Sequence, residues 1–155
     1  MKKIAIFPGS FDPFTIGHKD IVKRALPLFE KIIISIGVNS EKKSMFSLEK
    51  RMKWIQDVFI NDSRVKVESY SGLTVDFCIE KDAKFIIRGI RNTDDLKFES
   101  NIAQMNADLA QNIETLFLIS RAEKSHISSS IVRDIIRNKG NASRFLPKEI
   151  IIKTK

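Results

Sequence analysis

The segment from Gly9 to His18, with the sequence Gly-Ser-Phe-Asp-Pro-Phe-Thr-Ile-Gly-His, combines residue types that can bind a phosphate. Gly9 permits a tight turn and a close approach of the backbone to a ligand, and Ser10 offers a hydroxyl group. Gly17 and His18 stand where a helix is expected to begin, so free backbone N–H groups can face an anion. His18 can there donate a hydrogen bond to an oxygen on which negative charge develops. A lone histidine is more often an ordinary surface residue, but the whole segment favours a phosphate site.

Two later segments offer further phosphate donors. Arg88-Gly89-Ile90-Arg91 places two guanidinium groups around a glycine at the end of a predicted strand, where bidentate phosphate contacts can form. Ser128-Ser129-Ser130 precedes a predicted helix, where serine is most often an N-cap but can also donate to phosphate. On sequence alone, Lys42 beside Lys43 is usually a solvated pair and Glu99 a solvated surface acid. The two stronger segments predict that the protein binds a polyphosphate.

The elements that must position these groups follow from hydrophobic periodicity. Short apolar runs alternate with stretches of helical spacing, which is the pattern of βαβ units. The predicted strands are Ile4–Phe7, Ile32–Val38, Val65–Ser69, Phe85–Arg88 and Thr115–Ile119. Helices are predicted to begin near Gly17, Leu48, Leu73, Asp94, Ser129 and Lys148, with the first ending near Leu26 because Pro27 follows.

The predicted fold class is therefore α/β: a Rossmann-like, open five-stranded parallel sheet with helices on both faces. The whole chain, residues 1–155, is predicted to form a single domain. Parallel sheets of this kind bind ligands outside the carboxyl ends of their strands, and the candidate segments all follow strand ends.

Composition narrows the class of protein. The 27 Lys and Arg against 19 Asp and Glu give a net charge of +8, which favours an anionic partner. The single cysteine, Cys78, cannot form an internal disulfide, and the apolar runs are too short to span a membrane, so we expect a cytoplasmic protein without a membrane partner.

Other classes of protein fit less well. A nucleic-acid-binding module is disfavoured because the basic residues are not gathered in one arm or helix and no aromatic platform accompanies them. A dinucleotide-binding oxidoreductase would carry Gly-x-Gly-x-x-Gly after the first strand, and a P-loop enzyme would carry Gly-Lys-Ser/Thr; neither is present there.

Four segments together carry a family resemblance. The Gly9–His18 segment resembles the Thr/His-x-Gly-His signature of the nucleotidyltransferase superfamily. Lys42–Arg51, Ile87–Arg91 and Ile127–Arg133 are similar, in order and spacing, to the second loop, the arginine loop and the C-terminal serine motif of the phosphopantetheine adenylyltransferase family. The resemblance implies transfer of the adenylyl group of ATP to 4′-phosphopantetheine, giving dephospho-coenzyme A and pyrophosphate in the penultimate step of coenzyme A synthesis.

The same resemblance implies roles for individual residues. His18 is expected to stabilise the pentavalent α-phosphorus centre, and the catalytic group is His18, Lys42 and Arg91. Phosphopantetheine is expected to contact Ser10, Lys42, Thr74 and Arg88. The residues expected to bind ATP are Ser10, Phe11, His18, Gly89, Ile90, Arg91, Glu99, Lys124, Ser125, His126, Ile127, Ser128, Ser129 and Ser130. Lys124 and His126 stand where the family often has aromatic residues, so the packing of adenine is expected to differ.

The resemblance also implies ligands and assembly. Mg²⁺ is the expected counter-ion, bound through phosphates and waters without protein ligands. A homohexamer is expected, with coenzyme A as a feedback ligand in the same cleft and with no nucleic-acid partner. A sibling nucleotidyltransferase with another acceptor, such as glycerol phosphate or nicotinate mononucleotide, is the alternative within the superfamily.

Overall fold

The computed structural model describes residues 2–153 and contains one five-stranded parallel sheet. The strands are β1 (Ile4–Gly9), β2 (Lys31–Gly37), β3 (Val65–Tyr70), β4 (Phe85–Ile90) and β5 (Glu114–Ile119). Their order across the sheet is β3-β2-β1-β4-β5, and every neighbouring pair is parallel. The predicted fold class and all five predicted strands are confirmed, with small differences at the strand ends. From β1 the chain first adds β2 and β3 on one side of the sheet and then adds β4 and β5 on the other side. Folds of this kind bind their ligands at the point between β1 and β4 where the strand order reverses.

In the described part of the chain, five α-helices connect or follow the strands. They are α1 (Ile16–Ala25), α2 (Leu48–Val58), α3 (Thr74–Glu80), α4 (Thr93–Leu109) and α5 (Ser129–Arg137). Each begins within one residue of its predicted start, and α1 ends before Pro27 as predicted. Thr15, Ser47, Asn92 and Ser128 cap four of these helices with side chains that accept a backbone N–H bond.

Within residues 2–153 no helix begins near Lys148, so the prediction of a helix there is wrong. Residues 147–150 form a turn, closed by a 2.9 Å bond from the Ile150 N–H to the Pro147 carbonyl. Leu146 and Ile150 have helical spacing and both are buried against the main core. A single turn is enough to bring them there, so tertiary packing satisfies the apolar pattern without a helix.

The core lies on both faces of the sheet because successive strand residues alternate between them. Ala5 and Phe7 belong to the larger cluster, which is covered by α1, α2 and α5. Ile6 belongs to the smaller cluster, which is covered by α3 and its residues Val75 and Cys78. This double coverage accounts for the nearly continuous apolar runs of the inner strands β1 and β2, whereas the edge strand β3 alternates apolar with polar residues. The carboxyl ends of the strands form the polar rim of the sheet.

Helix α4 differs from the others in how little of it is buried. Glu99 is its only buried residue, whereas Phe98, Ile102, Met105 and Leu109 are exposed at helical spacing. Neither α4 nor any other helix within residues 2–153 has the length and apolar character needed to cross a bilayer.

Candidate active site

Two adjoining cavities open at the carboxyl ends of the strands. The first, of about 300 Å³, lies between the β1–α1 loop, the end of β4 and the start of α5. It brings together most of the predicted nucleotide-binding residues, together with Arg88 from the predicted acceptor site: Ser10, Phe11, His18, Gly89, Arg91, Glu99, Lys124, Ile127, Ser128, Ser129 and Ser130. Segments separated by more than one hundred positions in the chain thus meet at one cavity, as the strand-end argument predicted.

The second cavity, of about 350 Å³, lies beside the first, between the β2–α2 loop and the helices α3 and α4. Lys42 and Thr74, both predicted to contact the acceptor substrate, line it together with Tyr70. Ser10 and Arg88 line both cavities, with Glu99 between them. Two ligands bound side by side would therefore meet at a wall formed by these shared residues.

Three of the predicted nucleotide-binding residues do not line either cavity. The Ile90 side chain is buried in the fold, and its carbonyl accepts a 2.8 Å bond from the Ser120 N–H. The Ser125 hydroxyl donates to the Ala122 carbonyl at 3.0 Å. His126 is exposed and its ring lies edge-on to that of Phe145, with centroids 6.5 Å apart. Contacts of these residues with a nucleotide stay predictions.

His18 is held in one orientation and one tautomer by the first turn of α1. The Thr15 N–H donates to His18 Nδ1 at 3.0 Å, while the His18 N–H donates to Thr15 Oγ1 at 3.4 Å. This reciprocal arrangement is a capping box. Because Nδ1 accepts a hydrogen bond, the ring proton resides on Nε2, which is the donor available to a ligand.

The surroundings of the His18 ring keep it neutral. The ring packs among Phe7, Phe11 and Phe14, with centroids 5.0 Å from Phe11 and 5.3 Å from Phe14. Desolvation among these rings, together with the charge of Arg88 and that of Arg91, lowers the pKa of His18 to about 3. A neutral imidazole with its proton on Nε2 can donate to a phosphoryl oxygen throughout the neutral pH range.

This lowered pKa predicts a loss of stability in mild acid. Below pH 6.5 the His18 ring is protonated in the unfolded chain but stays neutral in the native state, so the free energy of unfolding should fall. The loss is about 1.4 kcal/mol at pH 5.5 and vanishes above pH 7.5. Urea denaturation at both pH values measures it, and His18→Gln is the control because that variant lacks the titrating ring. An equal pH dependence in wild type and variant would contradict the assignment.

The loop before α1 depends on a close approach between Gly9 and Phe11. Phe11 has a φ of 45°, and its ring is buried against the backbone of Gly9. A Cβ at position 9 would lie 2.9 Å from Phe11 Cζ. Gly9 is therefore required where β1 turns into the loop before α1, because the Phe11 ring occupies the space that a side chain would need.

Each of the two arginines at the end of β4 is paired with a carboxylate of α4. Arg88 donates from Nε to Glu99 Oε2 at 2.8 Å and from Nη2 to Oε1 at 2.6 Å, and Nη1 donates to the Pro8 carbonyl. Arg91 donates from Nε and Nη2 to the two oxygens of Asp95 at 2.9 and 3.2 Å. The hydrogen bond from Arg91 lowers the pKa of Asp95. The pairs fix both guanidinium planes and leave other N–H groups free for phosphate.

Asp95 was missed in the sequence, where acids in the first turn of a helix are expected to serve the helix itself. The one available signal was its i,i+4 spacing from Arg91. Glu99, expected near the ATP ribose, has its carboxylate on Arg88 at the wall shared by the two cavities.

The serine segment has the capping role that the sequence predicted, and its contact with phosphate stays a prediction. Ser128 caps α5 by accepting the Ile131 N–H at 3.2 Å, and the Ser129 hydroxyl donates to the Pro13 carbonyl at 2.8 Å. Ser130 Oγ accepts from Nη2 of Arg133, a cavity residue that sequence analysis did not single out. The first N–H groups of a helix have no intrahelical partners, so the start of α5 offers donors to an anion in the first cavity.

Comparison with known proteins agrees with this geometry. Residues 6–135 match the family described as cytidylyltransferase-like. A bifunctional NMN adenylyltransferase/ADP ribose pyrophosphatase from Francisella tularensis shares the fold, with a TM-score of 0.73 and 20% identity over 94% of this chain. This chain spans 45% of that longer protein, and the likeness concerns the fold alone. Fold and cleft together define a nucleotidyltransferase of the cytidylyltransferase-like class.

Relatives with higher identity specify the family within that class. The phosphopantetheine adenylyltransferase of Christiangramia forsetii is 54% identical over 147 residues, which cover 95% of this chain and 96% of the relative. That of Flavobacterium psychrophilum is 55% identical over 149 residues, covering 96% and 98%. The chain belongs to the phosphopantetheine adenylyltransferase family, as the four sequence segments indicated.

Proposed function

We propose that this protein transfers the adenylyl group of ATP to 4′-phosphopantetheine, with ATP in the first cavity and the acceptor in the second. The observation that carries this assignment is the wall shared by the cavities, where Arg88 stands beside both. An acceptor phosphate bound there would lie next to the α-phosphate of ATP, which is the juxtaposition that adenylyl transfer needs.

The chemistry requires placement and charge neutralisation more than proton transfer. The phosphate of phosphopantetheine is already an anion at neutral pH, so its oxygen attacks the α-phosphorus without a general base. The bond from that phosphorus to the bridging oxygen breaks in line, and pyrophosphate leaves with the electron pair. Lys42 and Arg88 hold the attacking phosphate, and Arg91 and the start of α5 hold the phosphates of ATP.

His18 acts on the charge that develops during this step. Its Nε2–H donates to an α-phosphoryl oxygen, and because the ring is fixed by Thr15 it needs no reorganisation as the centre becomes pentavalent. The ring stays a donor and does not become an acid, since its pKa of about 3 leaves it unprotonated at Nδ1 in neutral solution.

Mg²⁺ fits the cleft as an ion that is bound to the phosphates of ATP. Among residues 2–153 no three His, Cys, Asp or Glu side chains form a metal-binding group. The carboxylates of Asp95 and Glu99 are both engaged by arginines. The phosphates of ATP and water are therefore the ligands we propose for Mg²⁺, which would supply charge neutralisation on the phosphates.

Pyrophosphate release from MgATP tests the reaction. We expect release that depends on 4′-phosphopantetheine and not on glycerol 3-phosphate or nicotinate mononucleotide. Release with another acceptor alone would overturn the substrate and leave a sibling nucleotidyltransferase. Absence of release with every acceptor would overturn the reaction itself.

We also propose that the protein assembles into a homohexamer. The support is the exposed stripe of α4, namely Phe98, Ile102, Met105 and Leu109, which leaves a long helix with one buried residue in the single chain. A second copy that covers this stripe would bury it, as the interfaces of homo-oligomers commonly do.

Met105→Asp should dissociate this assembly. Met105 is 64% exposed in the single chain, so the change costs the fold little but places a charge inside the proposed interface. Sedimentation velocity measures the mass, which should be about six times the 17.8 kDa of one chain in the wild type and smaller in the variant. Ile60→Asp is the matched control, because Ile60 is 74% exposed but lies outside α4. An unchanged mass for Met105→Asp would contradict the interface.

Coenzyme A is the feedback ligand that we propose, because its nucleotide matches the first cavity and its pantetheine arm matches the second. We place the protein in the cytoplasm, where thiols stay reduced, on the support of a cysteine that is free and buried.

A further inference from the structure

Two oppositely charged side chains are buried beside the β1–α1 and β2–α2 loops, and neither lines the first or the second cavity. Asp12, in the β1–α1 loop, and Arg51, in the first turns of α2, are each 6% exposed. Neither is used by the reaction described above. Burial of a charge is costly unless hydrogen bonds compensate it, so the bonds of these two groups indicate what they hold in place.

Asp12 joins its own loop to the loop that carries Lys42. One carboxylate oxygen accepts from the Met45 N–H at 2.8 Å, and the other accepts from the Phe46 N–H at 2.9 Å. On the N-terminal side of this segment, the Lys42 N–H donates to the Asn39 carbonyl at 3.1 Å. The segment bearing Lys42 is therefore closed between a turn at Asn39 and the carboxylate of Asp12.

Arg51 joins the same two loops through their carbonyl oxygens. Its Nε donates to the Phe46 carbonyl at 3.0 Å, and its Nη1 donates to the Ser10 carbonyl at 2.7 Å. Burial lowers the pKa of Arg51 while the charge of Asp12 raises it, so each charge makes the other tolerable without direct contact. Phe46 is bound by both groups: Asp12 accepts from its N–H, and Arg51 donates to its carbonyl.

Together the two side chains form a clamp, the Asp12–Arg51 clamp, between the loop that bears Ser10 and the loop that bears Lys42. We propose that this clamp positions Lys42 against Ser10 so that the acceptor phosphate is held for attack. The proposal rests on the proposed function. Asp12 and Arg51 are positioning residues in this reaction, and their effect passes through Lys42.

The planar fork of the guanidinium is what the clamp requires. Arg51 reaches carbonyls of two different loops from Nε and Nη1 at once, and a lysine ammonium in its place retains the charge but lacks the fork. The β2–α2 loop would then shift relative to Ser10. A displacement of this kind is expected to lower kcat/KM for phosphopantetheine by about 10-fold to 100-fold.

A double-mutant cycle separates positioning from a general loss of structure. We would measure kcat/KM for phosphopantetheine in wild type, Arg51→Lys, Lys42→Ala and the double variant. If Arg51 acts through Lys42, Arg51→Lys should have about a twofold effect or less once Lys42 is absent. The dissociation constant of ATP, measured by calorimetry, should change little in Arg51→Lys.

Ser47→Ala is the matched control for damage to the same helix. It removes the hydroxyl that caps α2 by accepting the Lys50 N–H, but keeps every bond of Asp12 and Arg51. Ser47→Ala should have a small effect on kcat/KM even where it loses as much thermal stability as Arg51→Lys, or more. Asp12→Asn serves as a second variant, because the amide puts a donor against a backbone N–H and should show the same coupling to Lys42.

Equal effects of Arg51→Lys with and without Lys42 would overturn the clamp. So would matched loss of ATP binding, or failure of both clamp variants to fold, because the pair would then serve the structure alone. Failure of the proposed function is distinguishable, since it would appear as absence of turnover in the wild type.

Discussion

Replacing His18 with alanine should lower kcat by about 100-fold to 1000-fold, the loss measured when one preorganised donor is removed from an oxyanion-type site. The donor is the Nε2–H of a neutral ring, and its tautomer is fixed by the Thr15 N–H at 3.0 Å. Water that enters in its place would have to reorganise as the pentavalent centre forms. ATP should still bind, because Arg91 and the start of α5 remain.

Stopped-flow or steady-state release of pyrophosphate measures this loss, and calorimetry measures ATP binding. Val22→Ala is the matched control, since Val22 is buried on the same helix and its truncation destabilises α1 without removing a donor. Turnover by His18→Ala within a few-fold of the wild type, with ATP bound and the protein folded, would remove His18 from the mechanism.

The pH profile gives a second measurement on the same residue. With the pKa of His18 at about 3 in the free protein, its titration should leave no inflection in kcat/KM for ATP between pH 5 and 8. An inflection near pH 6.5 that disappears in His18→Gln would show that the ring ionises in the free enzyme.

Arg88→Ala should impair binding of both substrates, whereas Arg91→Ala should impair that of ATP alone. Arg88 lines both cavities, and Arg91 lines only the first. Removing Arg88 also leaves the carboxylate of Glu99, which is 8% exposed, as an unpaired anion beside two phosphate sites. Lost attraction and new repulsion act together, so kcat/KM should fall by about 100-fold, since removal of one partner of this partly buried, hydrogen-bonded pair leaves the other charge uncompensated at a binding site.

The repulsive part of this effect can be isolated by a second substitution. Glu99→Gln in the Arg88→Ala background removes the unpaired charge and should restore part of the ATP affinity but not the turnover. Titration of ATP into both variants by calorimetry measures the difference. No recovery of affinity would mean that Glu99 does not repel the nucleotide, and a defect limited to one substrate would contradict the place of Arg88 between the cavities.

The fold was predictable from local patterns because most strands are short apolar runs and each helix has a clear start. Ile32–Val38 is a mostly β-branched run, and Val65–Ser69 alternates apolar with polar residues, so neither has the spacing of an amphipathic helix. Thr15, Ser47 and Ser128 provide caps. The one wrong element, the helix near Lys148, is also instructive. Leu146 and Ile150 have helical spacing, but a turn buries both, and periodicity alone does not distinguish these outcomes.

The place of the site, but not its hydrogen-bonded partners, was predictable from the types of the residues and from their positions after strand ends. Phosphate donors at the ends of parallel strands must converge, which placed His18, Arg88, Arg91 and the Ser128–Ser130 segment at one rim. The partners of these groups were not predictable. Asp95 in the first turn of α4 was not singled out from the sequence, yet it holds Arg91. Glu99 on the same helix holds Arg88, and its expected contact with the ATP ribose stays a prediction.

By itself the sequence determined the class of fold, the rim at which ligands bind and, through four ordered segments, the family. These depend on periodicity and on short motifs, which local residues specify. The tertiary structure alone decided that His18 is neutral, that Asp12 and Arg51 clamp two loops, and that Arg88 faces both cavities. Those properties come from contacts such as Asp12 with Met45, 33 positions apart, and Arg88 with Pro8, 80 positions apart. Desolvation and hydrogen bonding depend on which residues are close in space. A charged residue that the sequence pattern predicts to be solvated can therefore be buried and paired in the folded chain.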